Sequence, residues 1–297
     1  MALKTRAEYL ESLKRLRPNI YKFGEKIEDV TTHPATRRVV ESHARAYDAA
    51  HDPATSSLFT TVSALTEEKI HRHNSQMLSM EDVIANSRFK REMYRLTGSC
   101  TGALCAGWNG MNVLWAVTHE MDAALGTKYH PRIKNYFLKA QSQGWTIAGA
   151  LTDAKGNRSL KASQQPDPDT NLRIVKVEEN GIVIRGAKLM ICGVAASNEI
   201  FVLPGTAYGE GEKDFALSCA VPRDVEGLTI VEARRPSDTR EMEEGFDLPT
   251  ETGITQAYLM FEDVFVPNER VFLCREHAYT GKVIQMFTAL YRACIGA

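Results

Sequence analysis

Near residue 146 the spacing of the apolar residues changes, and that change limits the chain to a fold of at least two parts. Before it, apolar positions recur at helical intervals. After it, short β-branched runs alternate with turn residues: "LRIVKVEENGIVIRGAKLMICG", "EIFVLPG", "FALSCAVP", "GLTIVEA" and "QAYLMFEDVFVP". Such runs are a strand signal. From about residue 277 a helical pattern returns. The expected class is α+β: a helical N-terminal domain over 1–145, a β-domain over 146–276 and the start of a further helical domain over 277–297.

The helical part marks its own boundaries. Thr5, with Glu8 three residues on, is a capping-box pattern. Tyr9, Leu10, Leu13 and Leu16 then make an apolar stripe. Residues 35–51 and 80–96 have mixed patterns with few breakers. "MNVLWAVTHEMDAAL" places Val113, Leu114, Val117 and Met121 at helical spacing, and Gly126 and Pro131 signal its stop. In the β-domain, "EENG" reads as a hairpin turn, with Gly181 able to take positive φ. "KASQQPDPDTN" reads as a polar loop. There is no internal repeat and no low-complexity linker.

A length of 297 residues suffices for two domains and a sizeable core. The formal net charge of −1 provides no global field for nucleic acid or an anionic membrane. No apolar run reaches the roughly 18 residues of a membrane span. The opening "MALKTRAEYLESLKRLRPNIY" carries charges throughout and is no secretory signal, so the cytoplasm is the expected location. The cysteines stand at 100, 105, 192, 219, 274 and 294. Without a secretion signal they argue against a disulfide framework, and isolated cysteines commonly serve as small buried apolar groups.

Motifs exclude several chemistries. GxGxxG and Walker A patterns are missing, and "YGEGEKD" lacks the third glycine. HExxH, CxxC and GxSxG are missing too. His71 and His73 lie two apart, on different faces if helical, which is poor for joint metal binding. Three segments stay open. "TDAKGNR" (152–158) is a polar turn or a loop offering donors to a phosphate or a heteroaromatic ring edge. "RGAKLMICG" (185–193) is a strand between turns or part of the same surface. "GSCTGALCAGWNG" (98–110) sets Cys100 and Cys105 amid glycines, compatible with an iron–sulfur site or with a plain glycine-rich segment.

"LMFEDVFVPNERVFLC" (259–274) resembles the end of the middle β-domain in acyl-CoA dehydrogenase-like flavoproteins. Together with "FGEKIEDVTTHPATR", "GTKYH", "TDAKGNR", "DPDTNLRIV", "GIVIRGAK" and "SDTREMEEGFD", it is similar to one narrower family along essentially the whole chain. That family holds the 4-hydroxyphenylacetate 3-hydroxylases and 4-hydroxybutyryl-CoA dehydratase/vinylacetyl-CoA isomerase. The resemblance implies a helical N-terminal domain, a β-barrel-like middle domain and a C-terminal helical bundle that is largely absent here. It implies FAD against the middle domain, touched by Leu151, Thr152, Asp153, Asn157 and Arg158 and by Met190, Cys192 and Gly193. Cys192 takes the place of a family threonine, and a thiol is the weaker donor.

The dehydratase branch carries a [4Fe–4S] cluster on three cysteines and a histidine. Cys105 matches one ligand, but the others fall at Thr101, at Tyr291 and just past Ala297. No cluster and no other resident metal is therefore expected, and 98–110 reads as close packing near a substrate or flavin face. The hydroxylase branch handles a phenol with Arg, Tyr and His, which correspond to Leu104, Trp108 and Gly149. Cys105, Trp108 and Gly149 are the substrate-side candidates, and no catalytic residue is assigned.

The activity expected from the resemblance is an FAD-dependent oxidoreductase, a two-component aromatic monooxygenase using O₂ and reduced flavin from a separate reductase. The alternatives are a dehydratase-like enzyme acting on an acyl-CoA without an intact cluster, and a truncated, non-catalytic relative. Family members form tetramers, so a homo-oligomer is expected. The stripe Val283, Met286, Phe287, Leu290, Cys294 and Ile295 on the last helix is expected to dock on another subunit or to leave the isolated chain prone to aggregation, the alternative being that it folds back over the β-domain.

Overall fold

The computed structural model describes residues 3–154, 156–233 and 252–295. The motif "SDTREMEEGFD" lies outside the described residues. Six helices come first: α1 (Arg6–Arg15), α2 (Arg37–His51), α3 (Ser56–Phe59), α4 (Met80–Thr97), α5 (Ala106–Leu125) and α6 (Tyr129–Gln143). A seventh, α7 (His277–Ile295), follows the strands. The local signals account for several ends. Thr5 and Glu8 form the capping box of α1. Gly126 closes α5 at φ 68°, the left-handed conformation a helix C-cap requires. Val113, Leu114, Val117 and Met121 are all buried.

Among the described residues the strands lie in three sheets. The largest has the order β2–β1–β10–β11–β7–β6. It comprises β1 (Asn19–Lys22), β2 (Glu25–Lys26), β6 (Arg173–Glu178), β7 (Gly181–Cys192), β10 (Leu228–Glu232) and β11 (Gln256–Pro267). The second has the order β12–β9–β8–β5, from β5 (Ile147–Ala150), β8 (Glu199–Val202), β9 (Leu217–Pro222) and β12 (Val271–Cys274). A small hairpin pairs β3 (Thr60–Val62) with β4 (Lys69–His71). The architecture is mixed α/β, and no helix among the described residues is long and apolar enough to cross a membrane.

Three differences from the sequence expectations have physical reasons. First, the N-terminal part is not purely helical. Strand β1 pairs in parallel with β10, Asn19 opposite Thr229, so a segment before residue 146 completes the larger sheet. It is too short to show a period of its own and owes its form to a distant partner. Second, Gly181 is not among the positive-φ residues. It opens β7 opposite Pro267, and a Cβ there would collide with Val266 O and lie 2.7 Å from the Phe265 ring. Close approach, not turn geometry, requires glycine. Third, α7 does not present an uncovered stripe. Its side chains pack within the chain against α4 and α5. Val283 and Phe287 are buried, and Met286, Leu290 and Tyr291 lie against the core. The side chains of Cys294 and Ile295 lie outside the described residues.

Buried polar ties fasten α1 to the β-region. Tyr9 Oη donates to Ala196 O at 2.7 Å. The fully buried Arg223 guanidinium donates to Ala195 O and to Leu13 O. Burial holds that guanidinium below its ordinary pKa, at about 10.

Candidate functional site

The glycines of 98–110 are a packing device. A Cβ at Gly107 would strike Ile147, and one at Gly110 would lie 3.0 Å from Leu203 Cδ1. Their absence lets α5 lie directly on β5 and the end of β8. Gly149 meets α5 from the other side, since a Cβ there would lie 2.7 Å from Ala106. Trp108 is buried, donates Nε1–H to Ser75 O at 2.6 Å and packs edge-on against Phe89. Leu104 is fully buried in the same apolar cluster. The substrate-side candidates Cys105, Trp108 and Gly149 thus gather around the first turn of α5.

Cys105 caps α5, and its thiol lies 3.9 Å from Tyr291 Oη on α7. Two positions 186 residues apart, paired in the sequence by resemblance, do meet in space. Thr101 is also buried here. The Lys90 ammonium, itself fully buried, donates to Thr101 Oγ1 at 2.9 Å and to Thr101 O at 3.2 Å. Among the described residues no group of three or more His, Cys, Asp or Glu could hold a metal ion. A [4Fe–4S] cluster does not fit this set: a hydroxyl bound to an ammonium and a phenol beside one thiol are not cluster ligands.

Histidines support the region from beneath. His43 Nδ1–H donates to Val39 O at 2.7 Å, and its Nε2 accepts from Ala103 N at 3.2 Å. Both bonds need the neutral ring. Burial lowers its pKa to about 4. His71, on β4, is likewise lowered to about 4 by burial, and His73 well below its ordinary value. The rings of His71 and His73 stack with centroids 5.4 Å apart, an arrangement the assumption of a helix misses.

A second surface forms where the 151–158 loop meets the end of β7. The register of β7 against β11 slips between Ala257 and Leu259, leaving a bulge at Leu189 and Met190. Leu189 N donates sideways to Thr152 O at 2.8 Å. Met190, at φ 55° and 45% exposed, points outward. Positive φ in a non-glycine residue stores strain of the kind found at functional sites. Cys192 is partly exposed, and its Sγ accepts from Gln256 Nε2 at 3.4 Å. Gly193, at φ 74°, donates its N–H to Thr255 O.

The loop residues divide into two sets. Leu151 and Thr152 are partly exposed, and Asn157 and Arg158 are exposed. Asp153 instead turns inward. Its carboxylate lies 2.6 Å from the buried Lys188 ammonium and accepts from Tyr208 Oη at 2.9 Å. Lys188 also donates to Leu151 O and Leu203 O, both at 2.9 Å. Burial and the nearby carboxylate raise the Tyr208 pKa, keeping it a donor. Lys188 lies in "RGAKLMICG" and Tyr208 opens "YGEGEKD", but nothing in either segment pairs them with Asp153. Their role is visible only once β7 lies under the loop.

Comparison with known proteins identifies the family. The family description 4-hydroxyphenylacetate 3-hydroxylase N terminal matches residues 5–273. The chain is 38% identical over 297 residues to the 4-hydroxybutyryl-CoA dehydratase/vinylacetyl-CoA-Δ-isomerase of Clostridium aminobutyricum, covering 99% of this chain and 60% of that protein. It is 32% identical over 315 residues to the oxygenase component of 4-hydroxyphenylacetate 3-monooxygenase of Thermus thermophilus, covering 99% and 62%. Among solved structures, an oxygen-tolerant archaeal 4-hydroxybutyryl-CoA dehydratase from N. maritimus superposes with TM-score 0.93 at 32% identity, covering 99% of this chain and 59% of that one. A 4-hydroxyphenylacetate 3-monooxygenase oxygenase component complexed with FAD superposes with TM-score 0.77 at 26% identity, covering 99% and 62%. The chain spans about three fifths of the length of these relatives. Homology along nearly its whole length shows that the chain belongs to the 4-hydroxyphenylacetate 3-hydroxylase N-terminal family, whose members here are enzymes.

Proposed function

We propose that this chain forms the flavin-facing part of an FAD-dependent oxidoreductase, with FAD seated where the 151–158 loop meets the end of β7. The observation that carries the reading is the Leu189 N to Thr152 O bond. It ties Thr152 to the bulge at Leu189 and Met190, and the proposed seat joins Thr152, Asn157 and Arg158 to Met190, Cys192 and Gly193. When bound, FAD would supply two-electron redox chemistry and, in its reduced form, reactivity toward O₂. Arg158 would grip a phosphate or the ring edge through its planar fork. Asn157 and the Thr152 hydroxyl would add neutral hydrogen bonds. Asp153, Lys188 and Tyr208 would not touch the flavin; they would hold the loop in place.

The proposed reaction is oxygenation of an aromatic substrate, with reduced FAD supplied by a separate reductase and no iron–sulfur cluster involved. The contacts among Lys90, Thr101, Cys105 and Tyr291 support the cluster-free reading. The substrate would lie toward the first turn of α5, near Cys105, Trp108 and Gly149. A homo-oligomer in the cytoplasm is part of the same proposal. The higher similarity to the archaeal dehydratase favours a second reading, with an acyl-CoA as substrate. Iron and sulfide analysis separates the two, since about four irons per chain would restore the cluster-dependent route.

FAD titration of the chain and of Arg158→Ala tests the binding surface. Loss of a charge-assisted bond should weaken binding by about 1.5–3 kcal/mol, roughly 10- to 150-fold. An unchanged dissociation constant would remove Arg158 from the site. No measurable binding by the wild-type chain would remove the proposed seat.

A further inference from the structure

One short segment fastens both ends of the loop that follows β5. Tyr208 lies beyond β8 and leads into a 3₁₀ turn over Glu210–Phe215. Its Oη donates to Asp153 Oδ2 at 2.9 Å, at the near end of the loop. Four residues on, Glu212 Oε1 accepts from Ala162 N at 3.0 Å, at the far end. Asn157 and Arg158 stand exposed between these two fixed points. Gly205 clears the approach, since a Cβ there would collide with Asp153 Oδ2.

The same segment is anchored in turn to the start of α7. Thr280, fully buried in the first turn of that helix, donates its hydroxyl to His277 O at 2.7 Å and accepts from Tyr208 N at 2.9 Å. Arg275 N donates to Ala216 O at 2.8 Å, and the Arg275 guanidinium lies 2.7 Å from the Asp214 carboxylate. Arg275 itself turns the chain into α7 at φ 76°, uncommon for a residue other than glycine. Beyond these contacts α7 packs on α4 and α5, and its far half sets Tyr291 beside Cys105. The loop is thus tied at both ends to a segment that a core helix holds.

We propose that Thr280 and Tyr208 are positioning residues, through which the first turn of α7 sets the 151–162 loop in the conformation that receives FAD. The inference rests on the FAD seat proposed above and adds the element that orders it. A loop held in place before binding loses less conformational freedom when the ligand arrives, so it binds more tightly. The Thr280 hydroxyl is suited to this link because one hydroxyl can donate and accept at once. Serine keeps that capacity and valine loses it. The Tyr208 phenol carries the link on to Asp153, and phenylalanine would keep the ring and break the bond.

Amide hydrogen exchange of the FAD-free chain, followed by FAD titration, tests the proposal. Thr280→Val and Tyr208→Phe should each speed exchange at Leu189 N, which is bonded to Thr152 O, and at Ala162 N by on the order of tenfold. Each should raise the FAD dissociation constant by a similar factor. Thr280→Ser should return both readouts to wild-type values. Ile27 N, bonded to Ile20 O in the β1–β2 hairpin, should exchange as in the wild type. Unchanged loop exchange, equal acceleration at Ile27 or no rescue by Thr280→Ser would overturn the positioning role. Faster loop exchange with an unchanged dissociation constant would overturn it too. A wild-type chain that binds no FAD would remove the seat instead, and loop exchange would still decide whether α7 holds the loop. If Thr280→Val fails to fold, Tyr208→Phe, which deletes a single oxygen, gives the same readout.

Discussion

The thiol region at the start of α5 and the polar surface at the end of β7 meet at Gly102 and Cys192, yet they are filled differently. The first is closed. Lys90 occupies Thr101, Tyr291 approaches Cys105, and glycines bring α5 onto the sheet. The second is open, with Met190, Asn157 and Arg158 exposed above a buried Asp153–Lys188 pair. A region packed with side chains has no room for a bulky prosthetic group. A solvent-facing surface over a rigid underlayer can accept one with little ordering cost. The comparison therefore separates a closed, side-chain-packed region from an open surface laid over a buried ion pair.

The largest expected effect lies in that underlayer. Lys188→Met keeps the stem but strands the Asp153 carboxylate in the interior, which should cost about 3–5 kcal/mol. Adding Asp153→Leu should recover most of the loss. Urea denaturation of the single and double variants measures both, and a single-variant loss under about 1 kcal/mol would mean that the open surface has no such support.

The next effect concerns the closed region and is read against pH. His43 must stay neutral to donate to Val39 and accept from Ala103. Its folded pKa is about 4, against 6.5 for the free group. Between those values the unfolded chain binds the extra proton, so stability is full above about pH 6.5, falls toward about pH 4 and then levels off. The contribution is on the order of 3 kcal/mol, with His71 adding in the same window. Urea midpoints for the wild type and His43→Gln across this range should show a shallower slope in the variant. Coincident slopes would show that His43 titrates normally.

The smallest of the three effects sharpens the boundary between the regions. Gly102→Ala places a methyl against Cys192 and should cost about 1–3 kcal/mol through overpacking. The same substitution at Gly209, where a Cβ meets nothing within 4 Å, is the control. Equal thermal shifts for both would mean that the loop does not depend on close approach to β7.

Local chemistry in the sequence determined much of this protein. The capping box at Thr5, the buried stripe of α5, the glycine stop at Gly126 and the strands β6 to β11 each follow from residues within one element. Their forces act over a turn of helix or a pleat of strand, so a single window of sequence contains them. Other features required distant partners. Strand β1 exists because β10 accepts it, and α7 is covered because α4 and α5 lie beneath it. Asp153 faces inward because Lys188 reaches it from β7. The loop at Gly102 reaches Cys192 because glycine leaves space between two backbones. These are pairings across the chain, set by burial and by hydrogen bonds that no local window carries, and only the tertiary structure decided them.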